Sequence, residues 1–139
     1  MANIALTQND VARVHESQDE VYSFIAGVAL NRGDIVYADS NGKLQLSDGS
    51  AAATAMALGV CVTDGQAGEP VAVVKRGKVG GFTISGLAYG AFVYISDTAG
   101  KLEDAAGTKS NVVGRVIPSS ETTPQKQLYV DFDWAVVIS

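Results

Sequence analysis

One short passage occurs twice in this chain of 139 residues, and no other feature limits its fold so strongly. "GDIVYADSNGKLQLSDG" starts at Gly33, and "GAFVYISDTAGKLEDAAG" starts at Gly90. Gly33 aligns with Gly90, and Val36 and Tyr37 with Val93 and Tyr94. After one inserted residue, Gly42, Lys43 and Leu44 align with Gly100, Lys101 and Leu102. Further on, Gly59 of "ALGVCV" matches Gly114 of "VVGRVI", and the run from Val71 ("VAVVKRGKV") matches the run from Leu128 ("LYVDFDWAV"). Glycines, a Val-Tyr pair and a Gly-Lys-Leu triplet that hold their order across both copies describe a duplicated β-unit: strand, hairpin turn, strand, loop, strand, turn, strand. A unit of about fifty residues buries too little surface to stand alone, whereas two packed together build a core. The expected fold is mainly β, a compact β-barrel or sandwich of two duplicated units with very little helix and an extended N-terminal arm.

The turn residues carry local reasons for this reading. Asn41-Gly42 is a hairpin signal because both residues tolerate the positive φ of a tight turn, and Gly100 occupies the same place in the second copy. Gly33 and Gly90 open strands where the chain turns sharply, so Gly33, Gly42, Gly90 and Gly100 are read as structural turn glycines. Residues 1–20 form a polar arm without glycine or proline, residues 21–79 the first β-unit and residues 80–139 the second, all within one compact domain. In the second unit "FTIS" reads as a strand. In the closing segment Leu128, Val130, Phe132 and Trp134 share one face by a period of two, which predicts a core position for Trp134. "DGSAAATA" reads as a loop.

Charge and residue inventory narrow the function. The net charge of −5 argues against a phosphate-tracking surface, and the one basic concentration, Lys75, Arg76 and Lys78, reads as a strand end and turn. The single cysteine, Cys61, lies in an apolar alternating run and reads as a buried hydrophobe; the single histidine, His15, sits in the polar arm. That inventory leaves no Cys/His zinc set and no catalytic pair, so no catalytic, metal or cofactor site is expected, and no enzyme. Asp131 and Asp133 alternate opposite an apolar face and mark the solvent side. Asp39 to Gly42 looks superficially like a calcium loop, but position 48 is Asp48, not glutamate, so a turn is expected. No signal peptide and no apolar stretch of membrane-spanning length is visible, which predicts a cytosolic product with no membrane and no nucleic-acid partner.

The duplicated "L-x-x-G-D/A-x-V-Y … D … G-K-L" unit, the "A-L-G-V" strand and "A-G-E-P-V-A-V-V … G" cover about residues 27–137. On these motifs the chain resembles the head-decoration, or capsid cement, proteins of tailed bacteriophages. The resemblance implies a non-enzymatic virion protein on the outer surface of an expanded head. It further implies a homotrimer that clamps neighbouring capsomers of the major capsid protein against the pressure of packaged DNA, made and assembled in the bacterial host cytoplasm. A polar arm that orders on binding supplies a physical route to attachment: Asn3, Ile4, Ala5 and Leu6 are candidate capsid-binding residues, by addition to an exposed sheet edge. The competing expectation is a β-rich carbohydrate- or surface-binding module, which would display aromatic side chains along one face.

Overall fold

The computed structural model describes residues 3–8, 11, 19–109 and 111–135. In chain order the elements are β1 (Glu20–Ile25), β2 (Ile35–Ala38), β3 (Leu44–Leu46), a four-residue helix α1 (Ala52–Ala55), β4 (Gly59–Cys61), β5 (Pro70–Val79), β6 (Phe92–Ile95), β7 (Leu102–Glu103), β8 (Val112–Pro118) and β9 (Lys126–Asp131). All nine strands belong to one curled antiparallel sheet that forms a half-barrel. The strand order is β3-β2-β4-β5-β9-β8-β6-β7, with β1 added to β5.

That order reads as a palindrome of the repeat, with β2, β3, β4 and β5 answered by β6, β7, β8 and β9. The register agrees residue by residue. Val36 lies opposite Gly59 as Val93 lies opposite Gly114, and Ala38 opposite Leu44 as Ile95 opposite Leu102. The turn glycines repeat in backbone angle: φ is 92° at Gly33 and 85° at Gly90, 76° at Gly42 and 77° at Gly100. In the first hairpin the Asp39 carboxylate accepts from the backbone N–H of Asn41 (2.8 Å) and Lys43 (3.0 Å) and from Gln45 Nε2 (3.0 Å), which closes the turn.

The third pair of glycines sets the remaining correspondence. A Cβ at Gly59 would meet the carbonyl oxygen of Val74, and one at Gly114 that of Tyr129, so Val74 answers Tyr129. The register expected from sequence, Val71 with Leu128, is therefore off by two: Val73 takes that place. A shift of two preserves which side chains face the core, so hydrophobic pattern alone does not detect it. Two residues beyond Val74 and Tyr129, Arg76 and Asp131 are each other's counterparts and also pair with each other across β5 and β9. β5 serves both units. Tyr22 and Val21 of β1 pair with Val73 and Val74, and Val79 and Lys78 at the end of β5 pair in the same way with Leu128 and Tyr129 of β9.

The first unit buries both faces of its strands. Val36, Leu44, Cys61, Val71 and Val73 pack with Ala26 and Leu30 in one core. Ile35, Val60 and Val74 join Val93, Ile95, Leu102, Val116, Leu128, Val130 and Phe132 of the second unit in the larger core. Double burial explains the unbroken apolar runs "GVC" and "VAVV", against the alternation in β6 and β9.

Four local expectations are corrected. "FTIS" is not a strand of the sheet: Phe82 makes an isolated bridge with Leu6, because the backbone of residues 81–83 pairs with the arm. Trp134 is not in the core; it is 40% exposed, since β9 ends at Asp131 and the chain turns through Trp134 and Ala135. Lys75, Arg76 and Lys78 lie within β5, not at a strand end and turn, and Arg76 is held by Glu20 (3.4 Å) and Asp131 (3.3 Å). "DGSAAATA" contains α1, tied to the sheet by the Ser47 hydroxyl donating to the Thr54 carbonyl.

Candidate interaction surface

The four arm residues expected to contact a capsid are docked on their own chain. The Ile4 N–H donates to the Leu102 carbonyl (2.9 Å), and Asn3 forms a bridge with Glu103 of β7. On the other side, Thr83 N–H donates to the Ala5 carbonyl and Thr7 N–H to the Gly81 carbonyl (2.7 Å). Both backbone edges of the segment are thus engaged within the chain. Ile4 is buried in the larger core and Leu6 packs against it; Ala5 faces solvent, and Asn3, though exposed, accepts at Oδ1 from the Ser96 hydroxyl (2.6 Å). Beside them Glu103 is buried, its Oε1 accepting from the Ser96 hydroxyl (2.8 Å) and the Asp97 N–H (3.3 Å). Gly33, Gly42, Gly90 and Gly100 sit in turns, and the Gly100 carbonyl accepts from the Ile35 N–H at the start of the strand that follows Gly33 (3.1 Å).

Three exposed regions can meet a partner. The first is aromatic. Trp134 lies 4.8 Å from Tyr22 and 6.2 Å from Phe24, ring centre to ring centre, with Lys75 Nζ 5.2 Å above its face. Its indole N–H donates to the Leu58 carbonyl (2.8 Å), so the ring is anchored at a surface position. The second is an open groove of about 470 Å³ between residues 82–85 and 124–126, where Tyr89 donates to the Pro124 carbonyl (3.0 Å) and Lys126 to the Ser85 carbonyl (3.0 Å). The third, on β6 and β8, exposes Phe92 and Val112 beside Arg115, whose guanidinium sits 5.0 Å from the centre of the Phe92 ring. Sequence reasoning passed over this third region. Its signal was available in the repeat, since Arg115 stands one place after Gly114 where Val60 follows Gly59.

Burial shifts the titratable groups Cys61 and Asp34. Burial pushes the Cys61 thiol up from 9.0 to about 12, assisted by the charges of Asp34 and Asp64. His15 lies outside the described residues. Asp34 is raised, chiefly by burial, against the Asn31 backbone hydrogen bond that lowers it. No group of three or more His, Cys, Asp or Glu is placed to share a metal ion among the described residues. Among the same residues no helix is long and apolar enough to cross a membrane. Comparison of the chain with family models, curated proteins and solved structures gives no match.

The raised thiol makes a prediction with a defined sign. Above the ordinary thiol value the unfolded chain releases its proton while folded Cys61 keeps it, so stability falls as pH climbs from 9.0 towards about 12. Urea midpoints at about pH 8 and about pH 10 are expected to differ less in Cys61→Ala than in the parent, the thiol alone contributing up to about 1.4 kcal/mol per pH unit in that window. Equal slopes in the two proteins would refute it.

Proposed function

We propose that this chain is a structural virion protein. In this reading it binds the outer surface of an expanded phage head as a homotrimer and stabilises contacts between major capsid protein capsomers against internal DNA pressure. It is made and assembled in the host cytoplasm, and it needs no cofactor and no nucleic acid. The motif resemblance supports the reading, as does the acidic balance of −5, which suits an exterior surface remote from DNA.

The observation that carries it is the anchored Trp134 with Tyr22, Phe24 and Lys75. Large aromatic side chains held rigid at a surface are the residues that dominate protein–protein binding energy, because little conformational freedom is lost when a partner covers them. The arm contributes in place. With its backbone edges engaged and the Asn3 side-chain carbonyl held by the Ser96 hydroxyl, Ala5 offers its outer face to a capsid partner, and Ile4 and Leu6 hold it in position.

The same cluster favours a second reading, a carbohydrate- or surface-binding module, since three aromatic residues share one region. Against it, the rings of Tyr22 and Phe24 stand at 53° and 62° to the indole, so they do not extend one flat platform for a sugar face. Co-sedimentation with expanded heads separates the two. Trp134→Ala is expected to weaken head binding by about tenfold or more, the loss of one hot-spot residue, with no effect on retention by glycan matrices. Unchanged sedimentation of the variant would refute the capsid role of the cluster, and glycan-dependent retention lost on substitution would establish the second reading.

A further inference from the structure

A sheet that does not close has edges, and an edge strand presents a row of unpaired N–H and C=O groups with which other chains can pair. The branched strand order gives this sheet three edges. At one end β7 is capped by the arm, through Asn3 and Ile4. At the other end β3 is capped by the chain leaving β1: Ala26 bridges Leu44, and the Gly27 N–H donates to the Leu44 carbonyl (2.8 Å). The third edge belongs to β1, which is added to β5 outside the main order. Among the described residues no backbone bond is made to its outer side.

Register settles which groups of β1 point outward. The Val62 N–H donates to the Ala72 carbonyl (2.9 Å), so Ala72 turns its backbone polar groups to the β4 side and away from β1. Ser23 lies opposite Ala72, which makes theirs a non-hydrogen-bonded pair and leaves the Ser23 N–H and C=O facing away from β5. The Ala26 N–H donates to the Glu69 carbonyl (2.9 Å), which fixes the same alternation: Tyr22 and Phe24 bond to β5, while Val21, Ser23 and Ile25 point out. The guards that blunt an exposed edge are missing from this stretch. Val21 to Ile25 contains no charge and no proline, and the one irregularity lies at its Glu20 end. Tyr22, Ser23 and Ile25 are exposed.

We infer that β1 pairs with β1 of a second copy, antiparallel about a two-fold axis at Ser23. In this register Ser23 lies opposite Ser23 of the partner subunit, and Val21 opposite Ile25 of the partner subunit. It is the register that sets all three outward residues against all three of the other copy, each pair exchanging two backbone hydrogen bonds, about six in all. Tyr22 then lies opposite Phe24 of the partner subunit, an aromatic cross-strand pair made twice by symmetry. Glu20, the one charge of the strand, falls opposite Ala26 of the partner subunit, so no like charges meet. β1 thus complements itself in backbone, side chain and charge, which assigns the edge to a second copy and not to a foreign strand. The copies join edge to edge, so the Trp134 face stays uncovered on both. The inference goes beyond the capsid reading and does not rest on it; two threefold rings joined through β1 also hold an even number of chains.

Light scattering coupled to size-exclusion chromatography tests it on the full chain. The parent is expected to have a mass that is an even multiple of 14.4 kDa. Ser23→Pro removes an N–H that points away from β5, so the ladder to β5 is kept. It is expected to halve the mass with an unchanged far-ultraviolet circular dichroism spectrum. Ser23→Lys and Ser23→Glu each place like charges across the axis and are expected to dissociate at concentrations about fivefold higher than the parent or more. Mixed in equal amounts, these two variants set opposite charges across the axis and are expected to pair at least as well as the parent, a recovery that damage to a lone surface would not show. A parent with an odd number of chains, one or three, overturns the inference and leaves the edge to a strand of another protein. So does a Ser23→Pro protein that keeps the parent mass, or a pair of charge variants no better together than apart. A parent with an odd number of chains that still binds heads would keep the proposed function and lose this contact.

Discussion

Gly114→Ala is expected to lower the stability of the folded chain by about 3 kcal/mol, at the upper end of what overpacking a tight site costs. The added methyl would lie less than 3.0 Å from the carbonyl oxygen of Tyr129 on the neighbouring strand, with Val93 on its other side. Backbone oxygen cannot rotate away as a side chain can, so β8 and β9 must separate, and the ladder between them joins the second unit to β5. Gly59→Ala places its methyl against the Val74 carbonyl in the same way and is expected to cost about as much. Gly42→Ala is the control. Its methyl meets open space, so the cost reduces to the positive φ of 76°, about 1 kcal/mol. Urea unfolding followed by circular dichroism checks the order. Because one sheet carries both units, each variant is expected to shift a single transition. A biphasic curve in which Gly114→Ala moves only one phase would contradict a cooperative sheet, and a Gly114→Ala midpoint equal to that of Gly42→Ala would refute the close approach.

What was legible in the sequence is what short-range chemistry determines. Gly42 and Gly100 are forced by turn geometry, and Val93, Leu128 and Val130 betray their inward side by alternation. The duplicated order of elements followed from these. Trp134 was misplaced because a period of two continues on paper after the ladder has ended: Phe132 still donates its N–H to the Lys75 carbonyl (2.9 Å), and beyond it the chain turns outward. "FTIS" has strand composition, but its pairing partner is the arm, and nothing in four residues specifies which distant segment will bond to them. The double use of β5 was hidden because one run of ten residues contains both the last strand of the first unit and the first strand of the second. The open face on β6 and β8 is a subtler case. Phe92 looks like any strand aromatic until its counterpart Ile35 is seen to be covered.

The arm reads differently once its burial is known, and this bears on any test of attachment by truncation. Ile4 is 6% exposed and packs in the larger core with Leu102 and Val11, so Ile4→Asp is expected to destabilise the protein by about 4 kcal/mol, combining a lost core side chain with a carboxylate placed where no partner awaits it. That is a large part of the stability of an ordinary domain, about 5–15 kcal/mol. Losing the arm also leaves β7, the end strand of the sheet order, without the bond from Ile4 to Leu102, an unpaired edge of the kind that recruits other chains. Loss of head binding after arm removal would therefore report unfolding or aggregation as readily as a missing contact. Ala5→Arg separates the two effects. Its side chain points to solvent, so thermal unfolding is expected to stay within about 0.5 kcal/mol of the parent, while co-sedimentation with expanded heads falls if the arm's outer face meets the capsid. A thermally normal Ala5→Arg protein that binds heads as the parent does would remove the arm from the interface, and a thermally normal Ile4→Asp protein would show that the segment is not part of the core.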